Sequence, residues 1–229
     1  MKLVIGNKNY SSWSMRPWVL AKGLGIAFEE VMLRFDFSEG SPFYQALAAH
    51  TPAGKVPVLI EDDGFAVWDT LAIAEYLAER HPEAGVWPQD ARLRARARSL
   101  CAEMHSGFGQ LRTHCPMNIE ADLRAKGAEL MAREAGLRKD LARVCELLEN
   151  ALTTSGGPFL FGAFGAADAF YAPVAMRIRT YGLPVPAAVG AYVDRLAAAP
   201  GVRDWITQAL AEHDFIAEDE PYRTAPSQA

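Results

Sequence analysis

The chain changes its secondary-structure pattern once, after about eighty residues, and this change limits the folds available to it. Short apolar segments with strand spacing alternate with helical segments up to Arg80. From Leu93 onward, apolar residues recur every three or four positions, which is typical of amphipathic helices. Mixed elements followed only by helices predict two segregated domains. We therefore expect an α/β domain over residues 1–81, a linker over 82–90, an all-α helical domain over 91–217 and a polar tail over 218–229 that frays.

The first domain is predicted to run β-α-β, then a connection, then β-β-α. Asp63-Gly64 predicts a hairpin turn between the last two strands, and Asp69 or Thr70 is placed to cap the last helix. The predicted strands cover 2–5, 28–33, 57–60 and 65–67, and the predicted helices cover 15–23 and 69–80. In the second domain, one long helical face runs from Leu93 to Leu111 and another from Leu137 to Leu148, with shorter helices near 168–180, 187–198 and 202–213.

Composition excludes several classes of protein. The 229 residues carry a net charge of −5, so the composition does not indicate the excess of basic residues that binding to nucleic acid or to an anionic membrane requires. The three cysteines, Cys101, Cys115 and Cys145, are odd in number and far apart, so neither a disulfide framework nor a metal site is expected. With no secretory signal and no long apolar run, we expect a soluble cytoplasmic protein.

Three short segments place polar groups where a strand meets a helix or another strand begins. The first is the serine-rich turn from Ser11 to Ser14, whose hydroxyls and free helix N–H groups suit an anion or a thiolate. The second is Lys55-Val56-Pro57, where the peptide bond before Pro57 can be cis. The third is Asp69-Thr70, an acid beside a hydroxyl at a helix start, which suits a zwitterion. Taken singly, each segment is equally explained as an ordinary cap or strand start.

In this order and spacing, the three segments resemble the N-terminal domain of the glutathione transferase family, and the resemblance extends over nearly the whole chain. Ser11-Ser12-Trp13-Ser14-Met15-Arg16 is similar to the Ser-Ser-Cys-Ser-x-Arg signature of the zeta class, and its serine-to-arginine step is similar to the tau-class pattern. The resemblance implies a thioredoxin-like glutathione-binding domain, an all-helical second domain and a cytoplasmic homodimer. It implies that glutathione is the co-substrate and that no metal is needed.

The same resemblance implies roles for individual residues. Ser11 is expected to be the catalytic serine that donates a hydrogen bond to the glutathione thiolate, with Ser12 as a supporting donor. A helix cap at Asp168 is expected to be structural. The electrophile pocket is expected between the domains and is assigned to Met104, Phe108 and Arg112. Glutathione contacts are expected from Trp13, Lys55, Val56, Pro57, Asp69 and Thr70.

Two departures from the family pattern affect the expected activity. Trp13 stands where zeta members carry their active-site cysteine, and no cysteine occurs in the first hundred residues. Asp69-Thr70 replaces the usual Glu-Ser or Gln-Ser pair. We therefore expect a detoxification-type transferase that conjugates glutathione to small hydrophobic electrophiles. A glutathione-dependent maleylacetoacetate-type cis–trans isomerase and a non-catalytic glutathione-binding scaffold remain as alternatives.

Overall fold

A four-stranded mixed sheet begins the chain in the computed structural model, which describes residues 1–225. The strands are β1 (Lys2–Ile5), β2 (Glu29–Met32), β3 (Val58–Ile60) and β4 (Ala66–Trp68), in the spatial order β2-β1-β3-β4. Strand β1 is parallel to β2 and antiparallel to β3, which pairs antiparallel with β4 through the predicted hairpin. The expected order of strands is therefore confirmed.

Helices cover both faces of this sheet because successive side chains of a strand point to opposite faces. Leu3 and Ile5 of β1 pack toward α1 (Ser12–Gly23) and α3 (Thr70–Arg80) in the main core. Val4 points the other way and packs in a smaller cluster with α2 (Pro42–Ala48). The sequence interpretation left α2 inside a connection, yet Ser41 caps it and Pro42 occupies its first turn.

All further regular elements among the described residues are helical. Helix α8 is at the centre of this region and packs against α1 and α4; all but one of its residues are buried, as expected for a helix that is apolar all round. No helix within residues 1–225 is long and apolar enough to cross a membrane. The helices are α4 (Ala91–Ser106), α5 (Gly109–His114), α6 (Arg124–Arg133), α7 (Ala135–Ser155), α8 (Ala166–Tyr181), α9 (Ala187–Ala198) and α10 (Pro200–Glu212), with short 3-10 turns at Pro82–Ala84 and Ala217–Asp219.

The long helix predicted from Leu93 to Leu111 is wrong, because it is two helices. Helix α4 ends at Ser106, Gly107 is extended, and Phe108 has a left-handed backbone with φ of 57°. Periodicity could not reveal the break, since the apolar residues of both helices enter one core. The start of α1 is also corrected: it begins at Ser12, three residues before the predicted Met15.

Two predictions about capping and the tail have opposite outcomes. Asp168 accepts hydrogen bonds from the backbone N–H groups of Gly165 and Leu160, both at 3.1 Å, so its structural role is confirmed. The prediction of a frayed tail from residue 218 is wrong for the residues described. Glu220 is buried and accepts a hydrogen bond from the Tyr10 hydroxyl at 2.7 Å. Residues 226–229 of the predicted tail lie outside the described residues.

Candidate active site

A cavity of about 720 Å³ lies between the sheet domain and the helical domain. Its walls include the loop that joins β1 to α1, the segment before β3, the start of α3, and residues at the end of α4, on α5 and on α8. The structure brings nine of the eleven sequence-predicted site residues into its lining: Ser11, Ser12, Trp13, Lys55, Val56, Pro57, Asp69, Thr70 and Arg112.

The serine turn forms the N-terminus of α1. The Ser11 side chain caps the helix and accepts from the backbone N–H of Ser14 at 3.4 Å. The hydroxyls of Ser11 and Ser14 also share a hydrogen bond of 2.7 Å. Within the described residues, the Ser12 hydroxyl has no hydrogen-bond partner. The hydroxyls of Ser11 and Ser12 therefore lie at the cavity wall, together with the N-terminus of α1 and its partial positive charge.

The segment before β3 contributes the backbone of Val56 and the ammonium-bearing side chain of Lys55 to the cavity lining. The Val56-Pro57 peptide bond is cis, as the sequence allowed. Lys55 is exposed, and in the described part of the chain its ammonium makes no ion pair. Neither backbone group of Val56 takes part in a hydrogen bond among residues 1–225, so both remain available to an extended peptide placed beside this segment.

Asp69 and Thr70 form the N-terminus of α3. Asp69 has a left-handed backbone with φ of 75° and caps the helix by accepting from the Leu71 N–H at 2.8 Å. Its second carboxylate oxygen lies 3.3 Å from Nε2 of His105, on α4. The Thr70 hydroxyl is buried and has no hydrogen-bond partner among residues 1–225, and such a group is costly unless a ligand or water satisfies it.

The residues expected to form the electrophile pocket are only partly in this cavity. Met104 and Phe108 are not among the described residues that line it, because both side chains are buried in the main hydrophobic core. Arg112 lines the cavity as expected, together with Arg177 of α8. Arg177 was missed because a lone arginine in an apolar helix has no local sequence signal.

Sequence reasoning missed several other cavity residues. Tyr10 and Met117 line the cavity, and so does His105, whose ring centre lies 5.0 Å from that of Trp13. Asp219, from the segment expected to fray, is also in the lining. Burial and the neighbouring Glu218 and Glu220 carboxylates raise the pKa of Asp219 to about 6. Four aromatic residues also line the cavity: Phe35, Phe37, Phe43 and Tyr44.

Three arginines concentrate positive charge behind and inside this cavity. The Arg16 guanidinium is fully buried and stacks 4.0 Å from the centre of the Trp13 ring. Burial, and then repulsion by Arg177 and Arg112, lowers the pKa of Arg16 to about 9. Burial likewise lowers the pKa of Arg177 to about 10. None of the three forms a salt bridge with a carboxylate in the described residues, so the charges of Arg112 and Arg177, which line the cavity, are not neutralised by such a pair.

The chain supplies no reactive thiol near this cavity. Cys101, Cys115 and Cys145 are buried, and burial raises the pKa of each thiol, to about 12 for Cys115. A thiolate is the reactive form of cysteine. No cluster of three potential metal ligands exists among the described residues. Any sulfur nucleophile in this site therefore has to enter with a ligand.

Comparison with known families agrees with this geometry. A family model described as "Glutathione S-transferase, N-terminal domain" matches residues 10–80, and one described as "Glutathione S-transferase, C-terminal domain" matches residues 94–208. The chain belongs to the glutathione S-transferase family. The two matches lie on either side of the predicted linker, and the α/β thioredoxin-like domain followed by an all-α domain is the architecture of this family.

Curated relatives in the family have two kinds of name. The chain is 33% identical over 120 residues to a maleylacetoacetate isomerase of Pseudomonas aeruginosa, a match that covers 52% of this chain and 55% of the relative. It is 27% identical over 174 residues to glutathione S-transferase 1 of Dianthus caryophyllus, which covers 76% and 75% respectively. The chain thus spans about half the length of the first relative.

Solved structures of transferases share the whole fold. A glutathione transferase homolog from Burkholderia with bound glutathione is 25% identical, with a TM-score of 0.67 over 91% of this chain and 97% of that one. A maleylacetoacetate isomerase from Methylobacterium extorquens with bound malonate and glutathione is also 25% identical, with a TM-score of 0.63 over 91% and 95%.

Proposed function

We propose that this transferase-family member activates glutathione as a thiolate with a serine hydroxyl and adds it to an electrophilic carbon of a small substrate. The observation that carries the proposal is the meeting of Ser11, Val56 and Asp69-Thr70 in one cavity that lacks a thiol of its own. A free thiol has a pKa near 8.5, and each unit by which a site lowers it requires about 1.4 kcal/mol. A hydroxyl donor and the dipole of α1 together supply about one to two units.

Each part of glutathione has a matching group in the cavity. The backbone of Val56 pairs with the cysteinyl residue as an added strand does. Asp69 receives the γ-glutamyl ammonium, and the orphaned Thr70 hydroxyl with the start of α3 receives the carboxylate. Lys55 is the cation nearest the glycyl end. Ser11 is assigned as the thiolate donor and Ser12 as a supporting donor.

The electrophile is the less defined partner. Trp13 and Met117 offer apolar surface for the small hydrophobic electrophiles that a detoxifying transferase conjugates. A second candidate is the cis–trans isomerisation of a maleylacetoacetate-like diacid, in which glutathione adds and leaves again. Arg112 and Arg177, both in the lining and without carboxylate partners, favour the acidic substrate. The malonate in the Methylobacterium isomerase, itself a dicarboxylate, supports the same choice.

Two further features belong to this proposal by family resemblance. The chain is proposed to act as a cytoplasmic homodimer in which the sheet domain of one subunit packs on the helical domain of the other. Gel filtration with light scattering tests the dimer.

A scaffold that binds glutathione without turnover is the competing proposal, and the absence of activity with every electrophile tried would favour it.

The test of the thiolate role compares Ser11→Ala and Ser12→Ala in turnover of chlorodinitrobenzene. If Ser11 is the donor, its alanine variant loses most of the activity while Ser12→Ala keeps a large part of it. The exposed Ser99 on α4 offers a matched control, Ser99→Ala, with unchanged activity. Loss of activity only in Ser12→Ala would transfer the role to that hydroxyl.

Binding and substrate class need separate measurements. Retention on immobilised glutathione, lost in Asp69→Ala, tests the peptide assignment, and an unaffected variant contradicts it. Isomerisation of maleylacetone tests the acidic substrate. Arg177→Met is expected to abolish that reaction and to leave chlorodinitrobenzene turnover within a few-fold of wild type. Equal loss of both activities would contradict a role of Arg177 in recognising the acidic substrate.

A further inference from the structure

Ser14 is a fully buried hydroxyl directly behind the proposed thiolate donor. Its Oγ lies 3.1 Å from the backbone nitrogen of Gly6 and 2.7 Å from Oγ of Ser11. Gly6 follows β1 and is tightly packed: a side chain there would approach the Phe35 ring to 2.2 Å. The N–H of Gly6 is therefore a donor at a fixed position, and Ser14 bridges it to Ser11.

The direction of the bond between the two hydroxyls follows from what each can do with its proton. A serine hydroxyl has one donor and two acceptor positions, and its hydrogen rotates to suit. Ser14 already accepts from Gly6, and within residues 1–225 the acceptor in reach of its own proton is Ser11. If Ser11 donated instead, the buried Ser14 proton would have no acceptor among residues 1–225. An unsatisfied buried donor destabilises the fold by more than one hydrogen bond stabilises it. On this balance of donors and acceptors, Ser14 is assigned as the donor to Ser11 in the 2.7 Å contact.

This direction decides what Ser11 presents to the cavity. With Ser14 as the donor, both acceptor positions of Ser11 are occupied, one by the Ser14 N–H at 3.4 Å and one by the Ser14 hydroxyl at 2.7 Å. The Ser11 proton then points to the one remaining direction, the cavity that Ser11 lines. The opposite direction would present a lone pair to the sulfur and repel a thiolate.

We infer that Ser14 is a positioning residue for the thiolate: it fixes the Ser11 hydroxyl as a donor toward the sulfur through a chain that runs from the Gly6 N–H to Ser14, then to Ser11, then to glutathione. The inference rests on the proposed function, because it requires a thiolate at Ser11. Ser14 itself is not among the described residues that line the cavity, so we expect it to make no contact with the peptide. Its effect appears in the ionisation of the thiol rather than in the binding of glutathione.

The test measures the pKa of glutathione bound to the full-length chain, from the ultraviolet absorption of the thiolate across a pH series. Ser14→Ala is expected to raise this pKa by about 0.5 to 1, which is about three- to tenfold less thiolate below the pKa. Ser11→Ala raises it further. In the Ser11→Ala background, adding Ser14→Ala causes no additional rise, because Ser14 acts through Ser11.

Controls separate positioning from packing. S-methylglutathione has no ionisable thiol, so Ser14→Ala should bind it with a Kd within about twofold of wild type. Ser14→Thr keeps a hydroxyl and is expected to restore the wild-type pKa. If Ser14→Ala does not fold, Ser14→Cys replaces it, since a thiol of similar size is a weaker donor and should also raise the pKa. Ser99→Ala is the matched serine control and should change neither quantity.

The possible results distinguish the positioning role of Ser14 from the proposed function on which it rests, the donor role of Ser11. A raised pKa in Ser11→Ala with an unchanged pKa in Ser14→Ala overturns the positioning role and leaves the proposed function intact. Equal losses of S-methylglutathione and glutathione binding in Ser14→Ala also overturn it, because they indicate packing. An unchanged pKa in Ser11→Ala overturns both, because Ser11 is then not the donor.

Discussion

Replacing Arg16 by methionine should stabilise the fold, although Arg16 is among its most deeply buried side chains. The guanidinium is fully buried, and within the described part of the chain its Nε and Nη1 atoms have no hydrogen-bond partner. Methionine keeps an unbranched stem of similar length and removes the charge. A buried charge without a partner is costly, so the substitution tests whether the fold tolerates Arg16 or depends on it.

The magnitude follows from the pKa of Arg16, which burial and repulsion by Arg177 and Arg112 lower from 12.5 to about 9. At pH 7, below both values, arginine is charged in the folded and the unfolded chain, and the folded state bears the full cost of roughly 5 kcal/mol. Stacking on Trp13 at 4.0 Å and near Phe170 at 5.2 Å returns about 2 kcal/mol. The net gain is about 2–3 kcal/mol, or a rise in Tm of about 4–12 °C for a chain of this length.

Urea unfolding followed by circular dichroism measures the free energy of unfolding of Arg16→Met. The gain should be full below pH 9 and should shrink as the pH rises toward 12.5, where the unfolded chain also begins to lose the proton. Arg203→Met, an exposed site on α10, is the matched control and should stay within about 0.5 kcal/mol of wild type. If Arg16→Met instead lowers the free energy of unfolding by more than about 1 kcal/mol, the reasoning is refuted and the guanidinium stabilises the fold.

Three other outcomes are expected. Asp168→Ala leaves two buried N–H groups and a tyrosine hydroxyl without an acceptor, so urea unfolding should show a loss of about 3–5 kcal/mol; a loss below 1 kcal/mol would contradict this. Glu220→Gln weakens the bonds from Tyr10 and Arg223, so hydrogen exchange in the C-terminal segment should quicken; unchanged exchange would show that the charge is not needed. Asp219 has a pKa of about 6, so the KM for an acidic substrate should fall as the pH drops through 6, and Asp219→Asn should give the low KM at every pH tested.

Local sequence was sufficient to bring into one cavity the residues that we propose to bind glutathione. Ser11, Val56-Pro57 and Asp69 each lie where a strand ends or a helix begins, and turn and cap residues mark such places within a few positions. The thioredoxin-like order of elements brings these places to one edge of the sheet. The spacing of the three segments was therefore enough to place them in one cavity.

The electrophile half depends on contacts between residues distant in sequence, and sequence patterns do not report these. Arg177 comes from a helix that is apolar all round, so periodicity assigns it no special direction. Phe108 fits the apolar spacing of its neighbours, yet a left-handed residue there begins a new helix. Glu220 belongs to a polar segment, and burial of this segment follows from a bond to Tyr10, 210 positions earlier.

The buried polar atoms that lack a partner are concentrated at the cavity. Among residues 1–225 there are five such side-chain atoms, and four of them belong to Arg16, Thr70 and His105. Thr70 and His105 line the cavity, and Arg16 stacks on Trp13, which lines it as well. Folded proteins satisfy the great majority of buried polar groups, so a random distribution would place these atoms across the whole core. Thr70 Oγ1 and His105 Nδ1 therefore lie where a ligand with anionic and hydrogen-bonding groups would give them partners. Binding of such a ligand therefore stabilises the protein in addition to filling the cavity, which is the property expected of a site for glutathione and an acidic second substrate.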